Sequence, residues 1–224
     1  MKTLVFDTCF NKTYIVLSID GEVLVKEAIE SNDKNYHSAY LIPKIRDILR
    51  ENKILIKDLD AIGVNIGPGS FTGIRAGITI ARVLAQQTNI NLVGVSSLEI
   101  LSKLNQSDKK TIVVSDARKN KVYYAEYKNE KVLISPLLLE KDELISKISD
   151  NAVVIADSSI SGYLSENNIS NINFDISDEN FGMFLSEIVN QKLKSNDKDY
   201  NWAKVKPLYI QKPSITKPKE FKNE

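Results

Sequence analysis

The run Gly67-Pro68-Gly69-Ser70-Phe71-Thr72-Gly73-Ile74-Arg75 is the part of the sequence best suited to chemistry. It lies between a strand-like run and a helical pattern, where backbone amides at a helix N-terminus can face an anion. Gly67 and Gly69 admit backbone angles and close approaches closed to other residues. Pro68 stiffens the turn, and Ser70 or Thr72 can cap the helix. The run reads either as a tight, well-capped loop or as a phosphate-binding loop. It is not a Walker A sequence, because no Gly-Lys-Ser/Thr follows at the required position.

The other reactive residue types are scarce. The chain has one histidine, His37, which excludes a metal site built on two histidines of one chain. His37 reads as a capping or interface residue in preference to a catalytic base. The single cysteine, Cys9, cannot form an internal disulfide and fits a reducing compartment. It reads as a small packed residue at a strand end, and nothing in the sequence brings it to His37 as a nucleophile–base pair. Asp116 and Arg118 read as a polar hairpin before a catalytic pair. No catalytic residue and no metal ligand set is expected.

Strands and helices must position these groups. Thr3 to Phe6, Thr13 to Ile19 and Glu22 to Ile29 are strand-like, separated by Asn11-Lys12 and Asp20-Gly21, so a three-strand meander opens the chain. Leu41, Ile45, Ile48 and Leu49 recur at helical spacing, with Pro43 either in the first turn or at a kink. Leu59 to Ile66 reads as a buried strand, Phe71 to Gln87 as a helix, Leu92 to Val95 as a strand, and Ser97 as a helix start. In the helix after the loop, Thr72, Arg75, Thr79, Arg82 and Gln86 form one narrow polar stripe. The wide apolar remainder predicts two neighbours: a sheet, and either the preceding helix or a second polypeptide. Gly73 and Gly77, four apart, suggest close approach of another helix. Further on, Thr111 to Ser115, Val122 to Tyr127 and Ala152 to Ala156 read as strands and Phe181 to Leu193 as a helix. The alternation after a meander predicts a mixed-sheet α/β fold in two related halves, 1–104 and 105–204, followed by an extended basic tail, 205–224.

Composition sets outer limits. Of 224 residues, 42% are hydrophobic and 26% charged, as in ordinary globular proteins. With 30 basic against 29 acidic residues there is no strongly basic field, so if the protein acts on a nucleic acid, another chain holds most of it. The apolar run in MKTLVFDTCF is short, and no stretch approaches the roughly 20 residues needed to span a bilayer. The expectation is a soluble cytoplasmic protein.

Several motifs occur together in a specific order. Gly-Pro-Gly-Ser-Phe-Thr-Gly-Ile-Arg from Gly67 is joined by Phe6-Asp7-Thr8, by His37-Ser38 with Leu41-Ile42-Pro43, and by Val95-Ser96-Ser97-Leu98-Glu99. Asp116-Ala117-Arg118 leads to Val122-Tyr123, and Pro207-Leu208-Tyr209-Ile210 stands near the end. This set resembles the TsaB (YeaZ) family over nearly the whole chain, thinly between about Asn129 and Asn201. The resemblance implies an actin/Hsp70-like ATPase (ASKHA) fold with two subdomains and mixed sheets. It implies a non-catalytic subunit that binds and activates a catalytic paralogue, TsaD, in placing threonylcarbamoyl on tRNA adenosine. The ATPase TsaE joins that complex, tRNA is engaged through it, and the chain forms a homodimer when alone.

The contact implied by the resemblance uses helices at about 38–51 and 71–87. It would carry His37, Leu41, Ile45, Gly73, Ile74, Arg75, Gly77, Ile78, Ala81 and Arg82. A residual nucleotide or phosphate loop would comprise Asp7, Thr8, Gly67, Pro68, Gly69, Ser70, Phe71, Thr72 and Gly73, although Cys9 stands where the family has serine. No cofactor is expected to be required, with nucleotide binding at or near the partner interface left open. The alternative is a stand-alone actin-fold ATPase or phosphotransferase. Chain length and the lack of a second glycine-rich loop after residue 100 count against it.

Overall fold

The computed structural model describes residues 1–30, 36–174, 180–195 and 199–211, and only the backbone of 36–39. The meander is present as β1 (Lys2–Asp7), β2 (Lys12–Ile19) and β3 (Glu22–Glu30). Its Asp20-Gly21 turn has positive φ at both residues, the geometry that matches the twist of a tight hairpin. Next come α1 (Tyr36–Glu51), β4 (Ala61–Asn65), α2 (Phe71–Thr88), β5 (Asn91–Val95) and α3 (Ser97–Ser102). The second half holds β6 (Lys110–Asp116), β7 (Lys121–Lys128), β8 (Lys131–Glu140), α4 (Leu144–Lys147), β9 (Ala152–Asp157), α5 (Ser158–Glu166), β10 (Asn171–Phe174) and α6 (Phe181–Lys194).

These strands form two five-stranded sheets, ordered β3-β2-β1-β4-β5 and β10-β9-β6-β7-β8. In the first, β1 pairs antiparallel with β2 and parallel with β4, and β4 pairs parallel with β5. In the second, β6 pairs antiparallel with β7 and parallel with β9, and β9 pairs parallel with β10. The halves are therefore topological copies. Asp7 at the end of β1 corresponds to Asp116 at the end of β6, and Asn65 at the end of β4 to Asp157 at the end of β9.

α1 and α2 cover one face of the first sheet. Leu41, Ile45, Ile48 and Leu49 on α1 share a buried cluster with Ile74, Ile78, Ala81 and Ala85 on α2 and with Leu4, Phe6, Ile15 and Ile62 of the sheet. At roughly 1.5–3 kcal/mol for each large apolar side chain removed from water, this layer is a main source of stability. A second core joins the sheets: Val5, Tyr14 and Val16 pack with Leu185 and Val189 of α6 and with Val113, Ala125 and Ile155 of the second sheet. Helix α6, late in the chain, thus lies on the first sheet, where Thr3 Oγ1 donates to Asn190 Oδ1 at 3.0 Å.

The structure settles one local alternative and corrects one strand boundary. Pro43 sits inside α1 and not in its first turn. The strand expected from Leu59 begins at Ala61, because a 3-10 turn over Ile56–Asp58 precedes it, held by Leu55 N donating to Asp58 Oδ2 at 3.0 Å. β8 contains Pro136, which removes a ladder donor; its place at the sheet edge, beside register shifts against β7, accommodates that. Residues 205–211 form no helix or strand, and the rest of the expected tail lies outside the described residues. Among the described residues no helix is long and apolar enough to cross a membrane.

Candidate functional site

The loop after β4 is built against the turn after β1. Ser70 caps α2, its Oγ accepting from Gly73 N at 3.3 Å, while Ser70 N donates to Cys9 O at 2.7 Å. Gly67 N donates to Asn65 Oδ1 at 2.9 Å and Ile74 N to Ser70 O at 2.9 Å. Thr8 Oγ1 donates to Gly73 O at 2.7 Å, and Ser97 Oγ to Pro68 O at 2.7 Å. The Gly67–Pro68 peptide is cis, and Gly67 has φ +97.

Much of the loop's polar surface is already engaged within the chain. The N–H groups of Gly67, Ser70, Gly73 and Ile74 already have partners within the chain. Thr8 packs against the side of α2: a Cβ at Gly73 would lie 1.8 Å from Thr8 O, and one at Gly77 2.5 Å from Thr8 Oγ1. The close approach expected at Gly73 and Gly77 is therefore to the β1–β2 turn and not to another helix. The loop is thus a capped turn packed on Thr8, with Gly69, Ser70, Phe71 and Thr72 exposed at its outer edge.

Asp7 lies directly beneath and is fully buried. Its Oδ1 accepts from Cys9 N at 2.9 Å, whereas Oδ2 meets no donor among the described residues, and neither does Asn65 Nδ2 find an acceptor. Burial raises the carboxyl from 3.8 to about 6, opposed by the Cys9 amide and thiol, the Asn65 side chain and the Thr8 amide. Burial, reinforced by the Asp7 charge, pushes the Cys9 thiol well up, so it stays protonated and inert. Among the described residues no three His, Cys, Asp or Glu side chains converge as a metal-holding group.

The expected interface residues divide sharply. Leu41, Ile45, Ile74, Ile78 and Ala81 are at most 3% exposed, and Gly73 and Gly77 are buried as well. These residues belong to the chain's own core and present no surface to a partner; the resemblance points to the right helices, but their apolar periodicity marks the inward face. The outward face of the same helices carries Tyr40 and Ile42 on α1 and Phe71, Arg75, Thr79 and Val83 on α2, with Arg82 half-buried. His37 lies in the first turn of α1, and its side chain is outside the described residues.

Two aromatic residues beside α2 carried no site assignment from sequence. Arg75 Nε donates to Tyr209 Oη at 2.7 Å, and its guanidinium carbon stands 3.8 Å from the Phe71 ring centroid. The Phe71 and Tyr209 rings are 5.7 Å apart. Two turns along, the Arg82 guanidinium lies 5.7 Å from the Trp202 ring centroid. Tyr209 belongs to the Pro-Leu-Tyr-Ile motif, which is visible in the sequence, but its pairing across 134 residues is not. In the second half, Asp116 N donates to Asp157 Oδ2 at 2.6 Å while Asp157 Oδ1 caps α5. Asp116 Oδ1 accepts from Arg118 N at 3.0 Å, so this group is hydrogen-bonded as a hairpin.

The model of the family TsaD, tRNA N6-adenosine threonylcarbamoyltransferase, matches residues 25–157, more than half of the chain. The tRNA threonylcarbamoyladenosine biosynthesis protein TsaB of Buchnera aphidicola subsp. Acyrthosiphon pisum is 32% identical over 156 residues, covering 61% of this chain and 70% of that protein. The chain belongs to the TsaB branch of this family. The TsaB of Buchnera aphidicola subsp. Schizaphis graminum is 34% identical over 125 residues, and that match spans 54% of this chain and 59% of its own length. The structure of YeaZ from Pseudomonas aeruginosa superimposes with a TM-score of 0.72 at 22% identity, covering 93% of this chain and 99% of that one. The fold is thus the α/β actin-like ATPase type, with the two mixed sheets described above. In this TsaB-family chain the outer face of α1 and α2 is the best candidate for a functional surface.

Proposed function

We propose that this chain is the non-catalytic, complex-forming subunit of the machinery that places threonylcarbamoyl on adenosine of tRNA. The observation that carries the reading is its kinship with proteins named for threonylcarbamoyladenosine biosynthesis. In this reading it binds and activates the catalytic paralogue TsaD through the outer face of α1 and α2, and the ATPase TsaE joins the assembly. The tRNA is held through the complex, which agrees with the nearly even charge of the chain. The protein acts in the cytoplasm, requires no cofactor of its own, and self-associates through the same face when the partner is absent.

Physical chemistry supports the choice of face. Phe71 and Val83 are 46% and 51% exposed, Tyr40 and Ile42 56% and 53%. Large apolar side chains grouped with arginine and tyrosine have the composition of interface cores and hot spots. The test mixes the purified chain with TsaD of the same organism, measures mass by light scattering, and follows ATP hydrolysis by the chain alone. A heterocomplex with no hydrolysis by the isolated chain is expected. Turnover of ATP by the chain alone, or no complex with TsaD, overturns the proposal.

A further inference from the structure

The segment after α6 runs back along the first sheet as a strap. Leu92 N donates to Tyr200 O at 2.8 Å and Leu208 N to Ile66 O at 2.9 Å, fixing the strap at two points. Trp202 and Val205 pack onto the core beneath α2. Two strap aromatics seven residues apart, Trp202 and Tyr209, thereby lie beside Arg82 and Arg75, also seven apart and on one face of α2. Arg75 is exposed, rests on Phe71, and has its Nε engaged by Tyr209, and its terminal nitrogens have no carboxylate partner among the described residues.

We propose that the strap is part of the docking surface, and that Tyr209 is a positioning residue holding the Arg75 guanidinium to receive a carboxylate of the protein partner. The inference rests on the reading that the outer face of α2 binds TsaD. A guanidinium held at Nε presents its other edge as a planar two-donor fork, which matches a carboxylate. Stacking on Phe71 keeps that plane fixed at little further entropic cost.

Charge selects the occupant. α2 contains Arg75 and Arg82 and no acidic residue, so its outer face is cationic and complements an acidic patch. Nucleic acid fits less well, because the fork is flanked by exposed Phe71 and Val83 and the chain carries a net charge of only +1.

The test is calorimetric titration of the full chain into TsaD, with Tyr209→Phe, Arg75→Ala and the double variant, each checked for an unchanged melting temperature. Tyr209→Phe keeps the ring and loses the acceptor, so affinity should fall about 3- to 10-fold. Arg75→Ala should weaken binding by about 30-fold or more, as a hot-spot arginine. On the Arg75→Ala background, Tyr209→Phe should add less than about 2-fold, because a residue acting through Arg75 has nothing left to position. Wild-type affinity in Tyr209→Phe, or an equal loss with and without Arg75, overturns the positioning role while leaving the TsaD interface standing. No binding by the wild-type chain overturns the interface and this inference together. Losses seen only in tRNA binding by the assembled pair, or only in self-association, reassign the arginine to RNA or to a second copy and reject the proposal.

Discussion

Gly73→Ala should be among the most damaging single-methyl changes in this protein. The added Cβ would sit 1.8 Å from Thr8 O and 2.9 Å from Thr8 C, where real Cβ contacts essentially never fall below 3.0 Å. Relief requires α2 and the β1–β2 turn to separate by more than an ångström, and both atoms that collide are backbone. That movement breaks the Thr8 Oγ1 to Gly73 O bond and strains the Ser70 N to Cys9 O bond, both 2.7 Å. Two hydrogen bonds at about 1 kcal/mol each and overpacking strain of about 2 kcal/mol outweigh the roughly 1 kcal/mol that alanine gains over glycine in a helix. The net loss is about 3 kcal/mol. Gly162→Ala is the control: it lies in α5 with nothing within 4 Å of the new Cβ, and should stabilise by up to about 1 kcal/mol. Urea unfolding followed by circular dichroism reads both. With a slope near 2–3 kcal/mol per molar, the Gly73→Ala midpoint should fall by about 1 M. A midpoint equal to or above wild type refutes the closed packing of the loop on Thr8.

Three further outcomes follow from the same geometry. Asp7 has a folded-state pKa of about 6, above its 3.8 reference, so its contribution to stability is full below about pH 4 and is lost as pH rises through 6. The stability difference between wild type and Asp7→Asn should therefore decline across that window by up to about 3 kcal/mol, and a flat difference contradicts it. Asp157→Ala removes the α5 cap, which accepts from Ser159 N and Ile160 N, and also the acceptor for Asp116 N; a loss of about 2 kcal/mol in urea unfolding is expected, and less than about 0.5 counts against the cap. Ile78→Asp places a charge in the core and should prevent folding, whereas Val83→Asp, on the opposite side of the same helix, should stay within about 0.5 kcal/mol of wild type; equal effects on thermal unfolding argue against the assigned inner and outer faces.

Much of the fold was legible because its signals are local. Asp20-Gly21 announces the first hairpin, and the 3.6-residue spacing of Leu41, Ile45, Ile48 and Leu49 places α1. β8, α5 and β10 gave weaker signals for physical reasons. Pro136 is acceptable in β8 only because the strand is at an edge, and α5 is rich in serine with a central glycine, stabilised by a cap contributed from the end of β9. The site was legible in part. Motif resemblance picked out α1 and α2, but apolar periodicity marks the face turned inward, so Ile74, Ile78 and Ala81 were assigned to the interface although the chain's own core holds them. Tyr209 and Trp202 could not be placed by spacing, since their partners lie more than a hundred residues away.

The most direct test of the account is threonylcarbamoyl transfer from threonylcarbamoyl-adenylate to tRNA by TsaD, alone, with this chain, and with its Val83→Asp variant. The account predicts no transfer by this chain alone, strong transfer by the pair, and loss of both complex and transfer with Val83→Asp, a folded variant altered only on the outer face of α2. Full activity of TsaD with Val83→Asp, or transfer unaffected by adding this chain, would contradict the claim that this surface makes the working complex.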